Sequence, residues 1–219
     1  MDTIDVIRQR RSIRVYNDAA IDPAKRRLLR EYIAQCNNES GLNMQIVFDE
    51  ANCLNALPAR YTDFSGATNY IACIGKDSEG LLEKTGFYGE QIVLYAQSIG
   101  LNTCWVGSTY IRSLCSISTK RDEKLVCIIS IGYGDERVPQ RQNHSLSEIS
   151  NCTDTSPQWF KAGVEAALLA PASEKNPDVF FTLKGEDVSC HCSGGQFAKV
   201  DMGIAKCHFS AASGHILAV

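Results

Sequence analysis

Val126-Cys127-Ile128-Ile129-Ser130-Ile131 is an almost uninterrupted apolar run in the middle of the chain. An earlier run, Tyr70-Ile71-Ala72-Cys73-Ile74, has the same character. Strands that are apolar on both faces are typical of the centre of a sheet with helices on each side. We therefore predict two central strands, at residues 70–75 and 126–133.

Weaker signals outside these runs complete the predicted fold. β-Branched and aromatic residues predict further strands at residues 45–49 and 179–183. Asp22-Pro23 and Ser156-Pro157 each combine an N-cap with a proline that suits the first turn of a helix. Together with apolar periodicity, these signals predict helices at residues 24–36, 81–98, 158–169 and 201–212. Helices and strands do not alternate regularly, so we predict an α+β fold with a mixed or antiparallel central sheet.

Length and charge limit the function classes. The chain has 219 residues and a net charge of −3, enough for one domain or a domain with a smaller lobe. The acidic balance argues against a nucleic-acid surface, and no apolar run is long enough to span a membrane. Met1-Asp2-Thr3-Ile4-Asp5 lacks the apolar region of a secretory signal. We therefore expect a cytoplasmic protein whose ten cysteines are reduced.

One cysteine group has the composition of a metal site. Cys190-His191-Cys192 is followed by Cys207-His208, but Cys-x-Cys is not the usual zinc spacing. Cys207 and His208 are also adjacent on a predicted helix and would point to different faces. We therefore expect no metal. Cysteines in apolar company, such as Cys73 and Cys127, are expected to be buried as small hydrophobic residues.

Positive charge is concentrated near the N-terminus. Four arginines fall within seven residues, in Arg8-Gln9-Arg10-Arg11-Ser12-Ile13-Arg14. Guanidinium groups bind phosphate bidentately, and a serine hydroxyl adds a further donor. The segment therefore favours a small, multiply charged anion, with a solvated basic helix end as the alternative.

The two halves of the chain are weakly similar to each other. Residues 39–48 and 170–181 each lead from a predicted helix through a polar turn to a strand. Each is followed by a helix with a glycine before an apolar run, beginning at Gly89 and at Gly203. Chance similarity is one explanation. The other is a duplication, with a full unit at residues 1–150 and a shortened unit at residues 151–219.

Four segments match the motifs of a known family, in the family's order. They are Arg10-Arg11-Ser12-Ile13-Arg14-Val15-Tyr16, Gly100-Leu101-Asn102-Thr103-Cys104-Trp105-Val106-Gly107, Ile131-Gly132-Tyr133-Gly134, and Arg141 after Pro139. On these segments, which span residues 10–141, the chain resembles the nitroreductase family of flavoproteins. The segment around Trp105 is the most specific of the four.

The chain also departs from the family pattern. Asn43-Met44-Gln45-Ile46-Val47 lacks the proline and tryptophan of the turn that family members carry after their second helix. The similar turn here is Ala170-Pro171-Ala172-Ser173-Glu174-Lys175-Asn176. In the family's usual homodimer, that turn reaches the flavin of the neighbouring subunit. The resemblance thus implies that Pro171, Ala172 and Ser173 complete the site within one chain; an ordinary surface loop is the alternative.

The resemblance also implies a cofactor and its ligands. The cofactor is FMN, held without a covalent link, with Arg10, Arg11, Ser12 and Arg141 at its phosphate. Arg14 lies toward the pyrimidine edge of the ring. The ring lies over Cys104, Trp105, Val106 and Gly107, and an amide N–H of Val106 or Gly107 is aimed at N5. Salt bridging is the alternative role for any one arginine, and core packing is the alternative for Trp105.

The implied activity is that of an FMN-dependent oxidoreductase. It passes electrons from NAD(P)H to a small acceptor such as a nitroaromatic or a quinone. The sequence lacks Gly-x-Gly-x-x-Gly, so the donor is expected to stack on the flavin without a Rossmann site. The alternatives are a flavin-binding protein without turnover, and flavin fragmentation or dehalogenation on the same fold. The chain is expected to be a monomer with an internal pseudo-dimer, or a homodimer.

Overall fold

A computed structural model describes residues 2–55, 64–134, 144–173 and 179–219. The chain divides into two compact units. The sheet unit comprises Arg10–Leu81 and Ile92–Pro139, and the helical unit comprises Met1–Gln9, Leu82–Gln91 and Gln140–Val219. The predicted boundary after residue 150 cuts the chain once, whereas each compact unit combines segments that are distant in sequence. The boundary between two repeated units therefore stays a prediction.

The sheet unit is built on four strands. Their order is β1-β2-β4-β3, and every neighbouring pair is antiparallel. The strands are β1 (Gln45–Val47), β2 (Tyr70–Lys76), β3 (Asn102–Val106) and β4 (Glu123–Gly132). β2 and β4 are the central strands, and six of the seven residues of β2 are buried. The predicted α+β fold with an antiparallel sheet is confirmed.

Helices of the sheet unit begin and end where local chemistry requires. In α2 (Pro23–Ser40), the Asp22 carboxylate accepts a hydrogen bond from the Ala24 N–H at 2.8 Å. Gly41 ends the helix with φ 74°, a left-handed conformation that glycine adopts without strain. α3 (Asn52–Asn55) is a single turn. The last residues of α4 (Leu81–Ser98) belong to this unit, and Tyr95 stacks on Tyr32 of α2 with ring centroids 4.2 Å apart.

The helical unit has its own aromatic core. Phe160, Phe181 and Phe209 are fully buried, and the last two rings stack with centroids 5.0 Å apart. A two-stranded antiparallel hairpin carries Phe181. The elements are α1 (Thr3–Gln9), residues 82–91 of α4, α5 (Leu146–Ile149), α6 (Gln158–Leu168), β5 (Val179–Lys184), β6 (Asp187–Cys192) and α7 (Ala198–Ser213).

Within the helical unit, α4 and α7 cross in direct backbone contact at two glycines. A Cβ added to Gly86 would lie 2.0 Å from the Val200 carbonyl oxygen, and one added to Gly203 would lie 2.1 Å from the Glu83 carbonyl oxygen. The same chain offset relates Gly86 to Gly203 and Glu83 to Val200. The contact is therefore reciprocal, as in an isologous interface. The predicted repeat matched Gly89 to Gly203, whereas this crossing pairs Gly203 with Gly86.

No helix among the residues that the structure describes is long and apolar enough to cross a membrane.

Candidate functional site

The arginine segment Arg10–Tyr16 lies beside the free edge of β3. Ser12 forms a parallel bridge with Thr103, and the Ile13 N–H donates to the Thr103 carbonyl oxygen at 3.0 Å. Further along, the Tyr16 N–H donates to the Ser65 carbonyl oxygen at 2.9 Å. Two of the segments singled out in the sequence are thus brought together by backbone hydrogen bonds.

Tyr16 fixes the end of the arginine segment to the sheet. Its backbone bridges Gly134, and its hydroxyl lies 2.8 Å from the Ser130 hydroxyl on β4. Ser130 in turn donates to the Cys104 carbonyl oxygen at 3.3 Å. Burial raises the pKa of Tyr16 well above its ordinary value, so its phenol stays protonated. Tyr16 is therefore an anchor for the segment and is not a proton donor to substrate.

Gly134 permits the close approach of the arginine segment. A Cβ at this position would lie 2.2 Å from Cγ2 of Ile13 and 2.8 Å from the Val15 carbonyl oxygen. Its N–H also donates to the Asn102 side-chain oxygen at 2.9 Å. The third sequence segment, Ile131-Gly132-Tyr133-Gly134, thus contacts the first two. Its last residue is glycine because a side chain there would collide with the arginine segment.

Positive charge converges on Cys104 in β3. Burial raises the pKa of this thiol, while the nearby Arg14 and Arg10 guanidinium groups and a hydrogen bond with Ser12 oppose the rise. Arg10, Ser12 and Arg14 thus all act on the Cys104 thiol. Since burial prevails, the thiol stays protonated, which agrees with the view that Cys104 is not a nucleophile.

The arginines of this segment differ in their burial and in their hydrogen bonds. Arg10 is buried, with 8% of its surface exposed, and Arg11 donates from Nη1 to the Arg10 carbonyl oxygen at 2.8 Å. Arg14 is exposed, and its guanidinium forms no hydrogen bond or ion pair with any described residue. A half-buried hydroxyl, Ser12, lies between them. This set of donors fits a phosphate-bearing anion such as FMN.

Strand alternation separates the peptide groups of β3. Because the Thr103 carbonyl faces the arginine segment, the peptide groups of Trp105 face the same edge. Those of Cys104 and Val106 face β4, opposite Ser130 and Ile128. The Val106 N–H is thus directed into the sheet. Gly107 follows the strand and stays the other predicted donor to the flavin ring.

The other predicted site residues lie elsewhere or outside the described ranges. Arg141 and Pro139 fall outside the described residues. Pro171, Ala172 and Ser173 belong to the helical unit. There the Ser173 N–H and hydroxyl both donate to Oδ2 of the buried Asp201, at 2.9 and 2.6 Å. Asp201 thus fixes the start of this turn.

The cysteine and histidine group at the C-terminal end is divided between β6 and α7. Within the described ranges, no three His, Cys, Asp or Glu side chains are gathered so that they could hold a metal ion. His191 is exposed on β6, while His208 is fully buried in α7 and bonded to Glu90 and to the Ala166 carbonyl oxygen.

Sequence reasoning missed two of the residues that hold the site together. Ser65 and Ser130 tie the arginine segment to the sheet through backbone or hydroxyl contacts. Short polar residues at such positions carry no recognisable motif, because a backbone bond can be made by almost any residue. Thr103 and Gly134, which also hold the arginine segment, gave a signal because both lie in matched segments.

A family model described as "Putative TM nitroreductase" matches residues 2–213. No sequence among the curated proteins matches the chain. Among solved structures, the chain is similar to a protein of Thermotoga maritima MSB8 described as a putative nitroreductase. That similarity has a TM-score of 0.70 at 21% identity and covers 96% of this chain and 83% of the other.

Two further structures are similar over a smaller part of this chain. One is a Bacteroides thetaiotaomicron VPI-5482 protein described as a putative NADH dehydrogenase/NAD(P)H nitroreductase, with TM-score 0.51, 20% identity, and 67% of this chain and 95% of the other covered. The second is a nitroreductase with bound FMN from Bacteroides fragilis NCTC 9343, with TM-score 0.50 and 17% identity. That similarity covers 66% of this chain and 95% of the other. At such identities, the similarity shows the fold.

Proposed function

Since the chain belongs to the nitroreductase family and is an oxidoreductase, we propose that it uses FMN to pass electrons from NAD(P)H to a small acceptor. A nitroaromatic or a quinone is the proposed class of acceptor.

One observation carries the proposal: the segment with Arg10, Ser12 and Arg14 lies against β3 at Cys104. The first two segments of the family resemblance are far apart in sequence, yet they share one edge of the sheet. A buried and an exposed cation flank a hydroxyl there. A phosphomonoester carries about −1.5 to −2 charges near neutral pH, and so suits several converging cations.

Each residue then has a defined task. Arg10, Arg11 and Ser12 bind the phosphate through charge-assisted hydrogen bonds, joined by Arg141. Arg14, which has no ion pair among the described residues, supplies a fixed positive charge toward the ring. The Gly107 amide donates a hydrogen bond to the ring, and Trp105 and Val106 support it. When bound, FMN supplies the hydride chemistry, and the protein supplies position and charge.

We further propose that the second half of the chain substitutes for a partner subunit. The reciprocal Gly86–Gly203 crossing supports this, because one chain offset exchanges its two sides. The two Bacteroides structures are almost fully covered yet leave part of this chain unmatched. Pro171, Ala172 and Ser173 are then the turn that completes the flavin site, with Asp201 holding Ser173 in place.

Flavin binding is the first test. Purified protein is incubated with FMN, desalted, and examined for the visible absorption bands of flavin. We expect the wild type to retain them and an Arg10→Ala/Arg14→Ala variant to lose them. Arg27→Ala is the matched control, because Arg27 is an exposed arginine of the sheet unit that pairs with Glu31 at 3.7 Å. A wild type that takes up no FMN would refute the proposal.

Turnover is tested separately on the flavin-loaded protein. NADH and NADPH consumption is measured with and without a quinone or a nitroaromatic. Acceptor-dependent consumption supports the oxidoreductase. Bound flavin without consumption of either donor would favour a flavin-binding protein without turnover.

The role of the second half is tested in the full-length chain. Ser173→Ala should weaken FMN binding, whereas Ser156→Ala should not. Ser156 is the control because its hydroxyl serves a local turn, accepting from the Thr153 N–H at 2.9 Å. Equal FMN affinity in both variants and in the wild type would remove Ser173 from the site.

A further inference from the structure

Two cysteines of the sheet unit, remote in sequence, lie in one packed cluster. Cys53 in α3 belongs to the buried core of the sheet unit, and Cys115, just after the short 3-10 helix Arg112–Leu114, packs against that core. Cys53 is fully buried, whereas Cys115 is partly exposed. The Ile111 N–H donates to the Cys53 carbonyl oxygen at 2.8 Å, which joins the two backbones next to the thiols. Solvent therefore reaches the pair from the Cys115 side.

A tyrosine lies in the same cluster as the buried member of the pair. The Tyr70 hydroxyl accepts a hydrogen bond from the Ser116 N–H at 2.7 Å. Tyr70 lies in the same core cluster as Cys53, its own proton is not used in the bond from Ser116, and its hydroxyl lowers the pKa of Cys53. The cluster thus places the Tyr70 hydroxyl, which can act as an acid, in the same packed region as the two thiols.

We propose that Cys53 and Cys115 are a redox site, which a hydroperoxide converts reversibly to a disulfide. The Cys115 thiolate attacks one peroxide oxygen, the O–O bond breaks, and hydroxide or alkoxide leaves. Cys115 is then a sulfenic acid. The Cys53 sulfur attacks the Cys115 sulfur, the S–O bond breaks, and water leaves with the remaining proton. In total, two thiols lose two electrons and two protons to one hydroperoxide.

The surroundings determine how fast the pair reacts. Burial raises the pKa of Cys53 to about 12 and also raises the pKa of Cys115. Glu50 repels both thiolates, while Tyr70 favours that of Cys53 and Arg112 that of Cys115. Since the thiolate is the nucleophile, disulfide formation is expected to be slow near neutral pH and to accelerate as the pH rises.

The test is a time course with hydrogen peroxide on the full-length protein, followed by alkylation, digestion and mass spectrometry. We expect the peptides of Cys53 and Cys115 to become joined, and dithiothreitol to separate them. The disulfide should form faster than any link to Cys152, a partly exposed cysteine of the helical unit. Progressive over-oxidation of Cys115 with no link to Cys53 would overturn the proposal.

Two variants assign the roles within the pair. Tyr70→Phe keeps the ring but removes the donor, and should slow disulfide formation about tenfold, the cost of one hydrogen bond to a charged atom. Cys115→Ser should protect the buried Cys53 from peroxide. Equal rates in Tyr70→Phe and the wild type, or unchanged oxidation of Cys53 in Cys115→Ser, would contradict the mechanism. Circular dichroism verifies that each variant is folded.

Discussion

Glu90 and His208 form a hydrogen bond of 2.9 Å in which neither side chain is exposed to solvent. The other imidazole nitrogen, Nδ1, lies 3.0 Å from the Ala166 carbonyl oxygen. Because a carbonyl only accepts, Nδ1 carries a hydrogen in every state of this pair. A single proton then lies between Nε2 and the carboxylate. The pair joins α4, α6 and α7 of the helical unit through one ring.

Removing one partner of this pair should be costly. In His208→Leu, the buried Glu90 loses its imidazole partner, and we expect a loss of about 3–5 kcal/mol in the free energy of unfolding. Glu90→Gln preserves shape and can donate to a neutral imidazole, so about 1 kcal/mol is expected. Urea unfolding measures both. Similar losses in the two variants would contradict the assignment of the proton to this contact.

The Gly86–Gly203 crossing should not tolerate a methyl group. Gly203→Ala places a Cβ where a backbone oxygen lies, so the helices must separate, at a cost of about 3 kcal/mol. Ala211→Ser, at an exposed position of the same helix, serves as the control. Thermal unfolding measures the stability lost in both variants. If Gly203→Ala proved as stable as Ala211→Ser, the close contact would be disproved.

Alkaline stability should depend on Tyr16. Its pKa is raised in the folded chain, so it remains neutral where the unfolded chain already ionises. The stability that comes from burying the neutral Tyr16 phenol is present below the ordinary tyrosine pKa and is lost as the pH rises above it. Tyr16→Phe cannot ionise, and should show a shallower loss while giving up about 1 kcal/mol at neutral pH. Denaturant unfolding at a series of pH values tests this, and identical slopes would refute it.

The charge of Arg14 should matter to flavin reduction. On the proposed function, Arg14→Gln removes the fixed positive charge and should slow reduction of bound FMN by NAD(P)H about tenfold, or 1.4 kcal/mol. Arg14→Lys keeps the charge and should stay close to the wild type. Stopped-flow absorbance separates this rate from flavin affinity. Equal rates in Arg14→Gln and Arg14→Lys would assign Arg14 a structural role.

The sequence was informative where burial or capping dominates. β2 and β4 were predicted because central strands must be apolar on both faces, and α4 because Gly100 ends its pattern. β3 was missed because Asn102 and Thr103 give a polar start to a strand that lies at the edge of the sheet. β6 was missed because its exposed and half-buried residues alternate and include no large apolar run.

Contacts between backbones were beyond sequence reasoning. The sequence contains Gly86, Gly89 and Gly203, but only the packing of α4 on α7 shows which glycines touch. The arginine segment was recognised from its charges, whereas its position beside β3 depends on peptide hydrogen bonds with no side-chain signature. Motifs therefore indicated the ligands of the site, and the fold alone showed how they meet.

The crossing of α4 and α7 is symmetric in its backbone and unequal in its charges. The offset that exchanges Gly86 with Gly203 replaces the Glu83–Lys206 ion pair by Val200 and Gly89. It likewise replaces Glu90 and His208 by Cys207 and Gln91. In a dimer of two identical subunits, every such substitution would appear on both sides of the contact. A contact within one chain is free of that constraint, so the α4 side and the α7 side can evolve independently. The contact also forms whenever the chain folds, whatever the protein concentration.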